Sequence, residues 1–277
     1  MNERVAIVGP VFPYRAGIAY CTTRLAEELA KSCDVSIISF KRQYPRAFYP
    51  GGDDIDETLL AKTPANARFV LDILNPWTWL RAALDLRRSR PDAVIFVWWI
   101  WVWALPYRLL LALLPRSTRV VLQCHNVGDK EPAWWKSLLT NGVLRRADAL
   151  IVHARSEAEE VTRRLGRRSP SIHATFLPVH ELGGPPPTRA DARAILRLPA
   201  DANLALFFGH VRPFKGLDIA IRAWAHLDVE AILLVAGEAW WKGEEEYRRL
   251  ARELGVCFVQ RDEGRGTWDE GRETSAL

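Results

Sequence analysis

The sequence predicts an α/β protein in which helices cover both faces of mostly parallel sheets. Short apolar runs alternate with helical patterns over most of the 277 residues, which is the order that parallel β-α units require. One run, 93–99, is apolar throughout, as a strand buried on both faces should be. The stretch GGPPPT at 183–188 interrupts the series and predicts a linker between two Rossmann-like domains.

The first domain is predicted over residues 1–182. Its predicted strands are 5–9, 35–40, 67–73, 93–99, 119–125, 149–154 and 171–177. Its predicted helices are 17–32, 76–88, 105–114, 133–146 and one that follows residue 154. For that last helix, Ser156-x-x-Glu159 has the pattern of a capping box and predicts where the helix begins.

The second domain is predicted over residues 189–277. Helices are predicted at 189–197, 215–227 and 244–254, and strands at 203–209, 231–237 and 256–260. Residues 261–277 have no periodicity and few apolar residues, which predicts a disordered tail. Because three strands make a thin sheet for an independent domain, we expect the second domain to be incomplete.

The composition is 49% hydrophobic and 26% charged, which is ordinary for a soluble globular protein. A net charge of +5 favours anionic partners such as phosphates or an acidic membrane surface, although a role in solubility alone is equally compatible. The four cysteines have no metal-ligand spacing and indicate reduced thiols in a cytosolic chain. Residues 1–4 lead straight into the first strand, so we expect no signal peptide and a cytoplasmic location.

Residues 94–115 are apolar enough to be considered as a membrane span of about 20 residues. Pro106 and Arg108 interrupt the segment, and an arginine within a membrane needs a partner. A buried strand, a turn and a helix are the favoured interpretation. The tryptophans of the chain, twelve in all, still suit a lipid interface.

Two strand ends of the first domain carry residues suited to ligand binding, which in open α/β sheets occurs outside the carboxyl ends of strands. The loop GPVFPYRAGIA at 9–19 leads into a helix whose first amides could meet an anion or a sugar hydroxyl. His125 and Asn126 end another strand, and Glu131 follows. A plain β-α turn and a structural histidine are the alternatives.

Two strand ends of the second domain also carry residues suited to ligand binding. In FFGHVRPFKG at 207–216, Gly209 permits a close backbone approach, and Arg212 and Lys215 stand where a helix begins. Such a junction suits a diphosphate, with a solvated basic turn as the alternative. Glu238 ends the next strand, where a ligand contact and an exposed loop are both compatible with the sequence.

Together these segments resemble the GT-B glycosyltransferases of the retaining, glycogen-synthase-like group (family 4). The similarity extends over about residues 4–260. GPVFPYRAGIA is similar to that family's N-terminal glycine loop, and CHNVGDKE at 124–131 to its His-Asn strand end. FFGHVRPFKGLDIAI resembles its G-x-x-x-P-x-K-G signature, and LLVAGE the strand that follows.

The resemblance implies that a nucleotide-sugar donor binds mainly to the second domain and an acceptor mainly to the first. Lys215 would hold the donor diphosphate, and His125 would contact the transferred sugar. The glycine loop would approach the donor phosphates or the acceptor, with site residues Tyr14, Arg15 and Gly17. Transfer would retain the anomeric configuration through an oxocarbenium-like transition state.

Because cations that neutralise the leaving diphosphate do electrostatic work, no metal or other cofactor is expected if Arg212 and Lys215 take that role. Two departures from the family pattern stand out. His210 occupies the place of an arginine that commonly follows the signature glycine, and we hypothesise that Arg212 replaces it. The chain also ends before the family's later acidic segment, with its paired glutamates, and before its final helix.

The expected function is transfer of a hexose to a cell-envelope lipid or polysaccharide acceptor. The expected location is cytoplasmic, with a peripheral position on the inner face of the plasma membrane as an option that the charge and tryptophans suit. A truncated, non-catalytic fragment or binding subunit is the alternative. A nicotinamide-dependent oxidoreductase is disfavoured because G-x-G-x-x-G is missing, and nucleic acid is not an expected partner.

Overall fold

The computed structural model describes residues 2–15, 17–45, 54–128, 133–177, 184–209, 211–227, 231–237, 244–256, 258–261 and 268–270. The chain divides into two compact units, Met1–His180 and Glu181–Leu277. Each unit contains a sheet with helices between its strands, so the predicted α/β class is confirmed.

The first unit is built on a seven-stranded sheet in which every pairing is parallel. Its strands are β1 (Arg4–Val8), β2 (Asp34–Arg42), β3 (Ala67–Asp72), β4 (Ala93–Trp98), β5 (Arg119–Cys124), β6 (Ala149–Val152) and β7 (Ser171–Ala174). The strand order is β3-β2-β1-β4-β5-β6-β7. The order reverses between β1 and β4, and ligands of open α/β sheets bind at such a point.

The described helices of the first unit are α1 (Gly17–Leu29), α2 (Pro76–Ser89), α3 (Ala104–Leu113), α4 (Trp134–Leu144) and α5 (Arg155–Leu165). Helix α2 shows how its sequence fixes both ends. The Asn75 side chain accepts a hydrogen bond from the backbone N–H of Trp77, and Pro76 occupies the first turn. Arg90 ends the helix in a left-handed conformation.

The predicted capping box of α5 is wrong. The N-cap is Ala154, two residues before Ser156, and it makes no side-chain cap hydrogen bond. Instead, the Glu157 carboxylate accepts a hydrogen bond from the backbone N–H of His153 at 3.1 Å. A carboxylate in the first helical turn satisfies an amide that precedes the helix, so the serine pattern is not needed to start it.

The apolar segment 94–115 forms β4, a short 3₁₀ turn (Trp101–Trp103) and α3. Trp98, Trp103 and Tyr107 are completely or almost completely buried in the core of the first unit. The Tyr107 hydroxyl donates a hydrogen bond to the Val97 carbonyl at 3.0 Å. Burial in the protein core therefore explains why this segment is so apolar.

Among the described residues, no helix combines the length and the apolar character needed to cross a membrane.

The second unit contains strands β8 (Asn203–Phe208), β9 (Ala231–Ala236), β10 (Phe258–Arg261) and β11 (Trp268–Glu270) in the order β11-β10-β9-β8. Its described helices are α6 (Arg189–Leu196), α7 (Leu217–Trp224) and α8 (Glu244–Glu253). The predicted linker 183–188 falls at the start of this unit, where Thr188 caps α6 by accepting a hydrogen bond from the backbone N–H of Asp191.

Two expectations for the second unit need correction. The segment 261–277, predicted to be disordered, contributes the last residue of β10 and all of β11, which pairs antiparallel with β10. A short edge strand that hydrogen-bonds on one side needs no apolar periodicity, so no pattern in the sequence predicts it. The predicted helix 215–227 is a 3₁₀ turn, Pro213–Lys215, followed by α7, because Gly216 at φ 76° interrupts the helical path.

Candidate functional site

The loop between β1 and α1 lies at the carboxyl edge of the first sheet. Gly9 packs against β4 so closely that an added Cβ would lie 2.5 Å from a methyl carbon of Val97. The backbone N–H of Phe12 donates to the Thr23 hydroxyl at 3.0 Å, which fixes the loop to α1. Close packing therefore explains the glycine that opens the predicted glycine loop.

Tyr14 and Arg15 hold this loop against residues 54–56. The Tyr14 side chain is buried, and its hydroxyl donates to the Phe40 carbonyl at 2.6 Å. Burial raises the pKa of this phenol well above its ordinary value. The Arg15 backbone N–H and Nε donate to the carbonyls of Asp54 and Ile55. Tyr14 therefore supports the loop from inside, whereas Arg15 is exposed at its surface.

Gly17 is the exposed first residue of α1, so the amides at the start of this 13-residue helix face the same edge of the sheet. Its first turn contains no acidic residue. The positive end of the helix dipole is therefore not offset by a carboxylate of the helix itself, which suits an anion or a polar hydroxyl.

His125 and Asn126 follow β5 at the same edge. The His125 backbone N–H donates to the Trp98 carbonyl at 2.8 Å, which continues the sheet pairing with β4 by one residue. The Asn126 side-chain amide donates to the Trp99 carbonyl at 3.3 Å. The histidine ring is therefore held at the sheet edge, and the asparagine beside it is exposed.

A second histidine, His153, lies beside His125, with the two rings tilted against each other. The ring centroids are 4.9 Å apart and the ring planes make an angle of 41°. Cys124 and Val152 are paired residues of β5 and β6, so the residue after each strand is a histidine at the same level of the sheet. That shared position was the signal in the sequence that could have linked them.

Most ring nitrogens of the histidine pair lack a hydrogen-bond partner among the described residues, and both rings are uncharged at neutral pH. Within the described part of the chain, His125 Nε2 and both ring nitrogens of His153 are buried without a hydrogen-bond partner. Burial, with a smaller effect of His153, lowers the pKa of His125 to about 4. Burial also lowers the pKa of His153, although Glu157 opposes this. At neutral pH the two rings therefore offer neutral donors and acceptors to a ligand.

In the second unit, two glycines bring the ends of β8 and β9 together. Gly209 has φ 113°, and its N–H donates to the Ala236 carbonyl at 2.9 Å. Gly237 has φ 151°, and an added Cβ there would overlap the carbonyl of Gly209. Because neither Gly209 nor Gly237 has a side chain, the backbones of the two strand ends can approach each other this closely.

A basic turn, formed by residues 209 and 211–216, connects β8 to α7. Arg212 is half-buried, with its guanidinium carbon 5.9 Å from the Phe214 ring centroid. Lys215 is exposed, and its backbone N–H donates to the Arg212 carbonyl at 2.9 Å. Gly216, the N-cap of α7, has no side chain to cap the helix amides. Two cations thus flank a helix start, although Asp218 in the first turn partly offsets them.

The predicted site residues fall into two groups, one in each unit. The first unit contains Tyr14, Arg15, Gly17, His125 and Asn126, and the second contains Gly209, Arg212 and Lys215. Glu131, Glu238 and His210 lie outside the described residues. Among the described residues, no group of three or more His, Cys, Asp or Glu side chains could hold a metal ion.

A family model described as a glycosyl transferase 4-like domain matches residues 16–179, which is more than half of the chain. The D-inositol 3-phosphate glycosyltransferase of Xylanimonas cellulosilytica is 36% identical over 128 residues, covering 41% of this chain and 29% of that protein. The protein of the same name from Mycobacterium leprae is 32% identical over 139 residues, covering 47% and 31%. The chain thus matches about three tenths of the length of these curated relatives.

Solved glycosyltransferase structures have a similar fold. Anabaena Alr3699/HepE in complex with UDP-glucose superposes with a TM-score of 0.65 at 15% identity, covering 93% of this chain and 69% of that one. An α-glucosyltransferase in complex with UDP-glucose and DNA containing an abasic site superposes with a TM-score of 0.53 at 12% identity, covering 92% and 61%. At these identities the similarity concerns the fold alone.

Proposed function

Because the chain belongs to the glycosyl transferase 4-like family of GT-B glycosyltransferases, we propose that it transfers a hexose from a nucleotide-sugar donor to an acceptor. The observation that carries the proposal is the basic turn of the second unit. The two cations at the start of α7, together with the glycines at the ends of β8 and β9, suit a diphosphate. UDP-glucose in the HepE complex supports a nucleotide diphosphate sugar as the donor class.

The basic turn would act mainly on the leaving group. As the bond between the sugar and the diphosphate breaks, negative charge accumulates on the diphosphate oxygens. Arg212 and Lys215 would stabilise that charge where it develops, and such preorganised stabilisation is often the largest catalytic contribution. The proposed mechanism retains the anomeric configuration through an oxocarbenium-like transition state and uses no metal ion or other cofactor.

His125 would bind the transferred sugar by hydrogen bonds and not by proton transfer. With a pKa of about 4, its ring is neutral at physiological pH and is a poor proton donor to a leaving group. Its buried Nε2 lacks a partner in the described structure, so a sugar hydroxyl would satisfy it. Asn126, exposed beside it, would add a second polar contact, and Glu131 and Glu238 remain proposed ligand contacts.

We propose that the acceptor binds the first unit, near the exposed Arg15 and Gly17 at the start of α1. A cell-envelope lipid or polysaccharide is the primary candidate, with the enzyme peripheral on the inner face of the plasma membrane. Supporting this is the α4 aromatic face, defined as the exposed Trp134, Trp135 and Leu138. Lys136 lies 5.6 Å from the Trp101 ring and 5.8 Å from the Trp135 ring. Indole rings beside a cation suit both sugar rings and a lipid interface.

A second acceptor class follows from the curated relatives, whose name describes transfer to D-inositol 3-phosphate. A soluble phosphorylated polyol is therefore a candidate for the same position. The amides at the start of α1 would bind its phosphate. A non-catalytic fragment or binding subunit remains the alternative to an enzyme.

The proposal is tested with the purified chain, UDP-glucose and other nucleotide-sugars, each offered with lipid, oligosaccharide or polyol phosphate acceptors. We expect release of the nucleoside diphosphate to depend on an acceptor. We expect NMR to show a product with the donor's anomeric configuration. Donor binding without turnover under any acceptor would favour the binding subunit. Absence of donor binding would reject the proposal.

Variants of the basic turn connect that activity to named residues. We expect Lys215→Ala and Arg212→Ala each to weaken donor binding by about tenfold to a hundredfold, because a charge-assisted hydrogen bond is worth about 1.5 to 3 kcal/mol. Arg222→Ala is the matched control, since Arg222 is exposed in the last turn of α7, away from its start. Unchanged affinity in the Arg212 variant would show that this residue does not replace the family's usual arginine.

A further inference from the structure

A large groove lies on the first unit at the edge of the sheet opposite to His125. It has a volume of about 890 Å³ and lies where α2 and α3 end and the connection to β5 begins. In parallel β-α units the helices end at the amino edge of the strands. The groove is therefore separate from the loop of Gly17 and the histidine pair, which stand at the carboxyl edge.

Four arginines line this arginine groove, and among the described residues no carboxylate lines it. Arg87, Arg88 and Arg90 come from the end of α2, and Arg116 from the segment after α3. The other lining residues are Leu84, Ala112, Leu114, Pro115 and Ser117. Arg88 forms an ion pair at 3.6 Å with Asp85, which Arg68 also contacts at 3.3 Å. Positive charge therefore exceeds negative charge at this surface.

The conformation of Arg90 is a separate observation. It has φ 47° and ψ 60°, the left-handed conformation that glycine or asparagine usually occupies after a helix. Among the described residues other than glycine, only Arg90 and Arg197 have positive φ. Closing α2 with glycine would avoid the steric cost of a side chain here. The left-handed backbone conformation therefore does not explain why an arginine occupies position 90.

Arginines at a helix end also interact favourably with the helix dipole, and that accounts for Arg87 and Arg88 in the last turn of α2. It does not account for Arg116, which comes from a different segment and faces the same groove. Nor does it account for the apolar residues that line the groove with the arginines. Guanidinium groups from separate segments that line one groove suit the binding of a phosphoryl group.

We propose that the arginine groove is a second anion site, which binds the phosphoryl group of a phosphorylated ligand at the amino edge of the first unit. Its volume falls in the range of small-molecule sites, about 300 to 1,000 Å³. The same chemistry fits a soluble phosphate ester and a phospholipid headgroup. The proposal does not depend on the proposed transferase activity, because none of its residues belongs to the donor or acceptor positions.

The test compares the double variant Arg87→Ser/Arg90→Gly with the control Arg163→Ser/Arg167→Ser. Both remove two exposed arginines of the first unit and change net charge equally. Glycine suits the left-handed position 90, so the test variant should fold at least as well as the parent. Both are made in a Lys215→Ala background, so that the basic turn contributes less to binding. The Lys215→Ala chain is therefore the parent in this comparison.

Calorimetry with pyrophosphate and co-sedimentation with vesicles are done at physiological ionic strength. The vesicles contain phosphatidylcholine alone or with phosphatidylglycerol. We expect the groove variant to lose about tenfold in affinity for pyrophosphate, for phosphatidylglycerol vesicles or for both, while the control binds as the parent does. Loss for pyrophosphate identifies a soluble phosphate ligand, and loss for vesicles alone identifies a lipid headgroup. Equal affinities of groove variant and control, or no binding of either probe by the parent, overturn the proposal.

Discussion

His125 and His153 show how the surroundings of a residue decide its chemistry. A solvated histidine titrates near pH 6.5. The sequence pattern alone left His125 as either a ligand contact or a structural histidine. Burial beside a second imidazole lowers the pKa of His125 to about 4. The residue was predictable from its place after a strand, but its partner and its neutral state depend on the register of β5 and β6.

The histidine pair makes a prediction about stability and pH. Because the folded-state pKa of His125 lies below its unfolded value, the unfolded chain binds more protons between about pH 4 and 6.5. The neutral ring's contribution to stability is fully present above pH 6.5 and is lost as the pH falls through the folded-state pKa. We expect His125→Asn to lose less stability than the parent chain between pH 7 and 5 in urea denaturation.

His173 supplies the matched control for this experiment. It lies within β7, where it is exposed and its Nε2 hydrogen-bonds the Ser171 hydroxyl at 2.9 Å. Urea denaturation of His173→Asn at the same pH values shows the effect of removing an imidazole that lies outside the pair. If His125→Asn keeps the parent's pH dependence, the low pKa of His125 is not what couples stability to pH.

Alanine substitutions at three glycines separate the stability cost of backbone strain from that of steric overlap. Gly237→Ala should destabilise the second unit, since its Cβ would overlap the Gly209 carbonyl and φ is 151°. Gly209→Ala adds strain at φ 113° without overlap, and Gly128→Ala adds neither. We expect a cost of about 1 to 3 kcal/mol for Gly209→Ala, more for Gly237→Ala, and less than about 0.5 kcal/mol for Gly128→Ala.

Hydrogen exchange of β8 and β9 amides is the appropriate measurement, because it reports on the second unit separately from the first. Faster exchange in Gly237→Ala than in Gly209→Ala is the expected order. Equal exchange in the two variants would mean that the close approach of the two strand ends adds nothing to the backbone strain.

At the scale of elements, periodicity located the helices and strands, and single residues decided their ends. The helical pattern of 215–227 includes Gly216, whose left-handed conformation divides it into a 3₁₀ turn and α7. The start of α5 depends on a carboxylate that accepts from the His153 amide, which a search for serine caps overlooks. These ends matter for function because both candidate sites are built where strands give way to helices.

The α4 aromatic face leads to a prediction about membranes. Trp134 is 79% exposed, so Trp134→Ser should leave folding intact and weaken binding to vesicles of phosphatidylcholine and phosphatidylglycerol by several-fold. Trp77→Ser is the control, because Trp77 is 77% exposed at the start of α2. Flotation of both variants measures the difference. Equal binding would show that α4 is not the part of the surface that meets lipid.

For the whole molecule, the sequence predicted the α/β class and every strand of the first sheet, since apolar runs and helical patterns alternate visibly. It did not predict β11, because an edge strand paired on one side leaves little trace in a sequence. It also could not predict the arginine groove. Arg87, Arg90 and Arg116 come together only when α2 and α3 pack side by side and end at one edge.

The order of the first sheet predicts how its stability is distributed. β4 lies between β1 and β5 and has four buried residues of six, whereas β7 pairs on one side only and has none. Amides that open only on global unfolding exchange slowest, so β4 amides should be protected by several orders of magnitude more than those of β7. β3, at the other edge, serves as the control, because it also pairs on one side but has two buried residues. Hydrogen exchange followed by mass spectrometry should therefore rank the strands β4, β3, β7 in decreasing protection. Protection of β7 equal to that of β4 would mean that the unit opens as one cooperative body, in which edge position and burial do not matter.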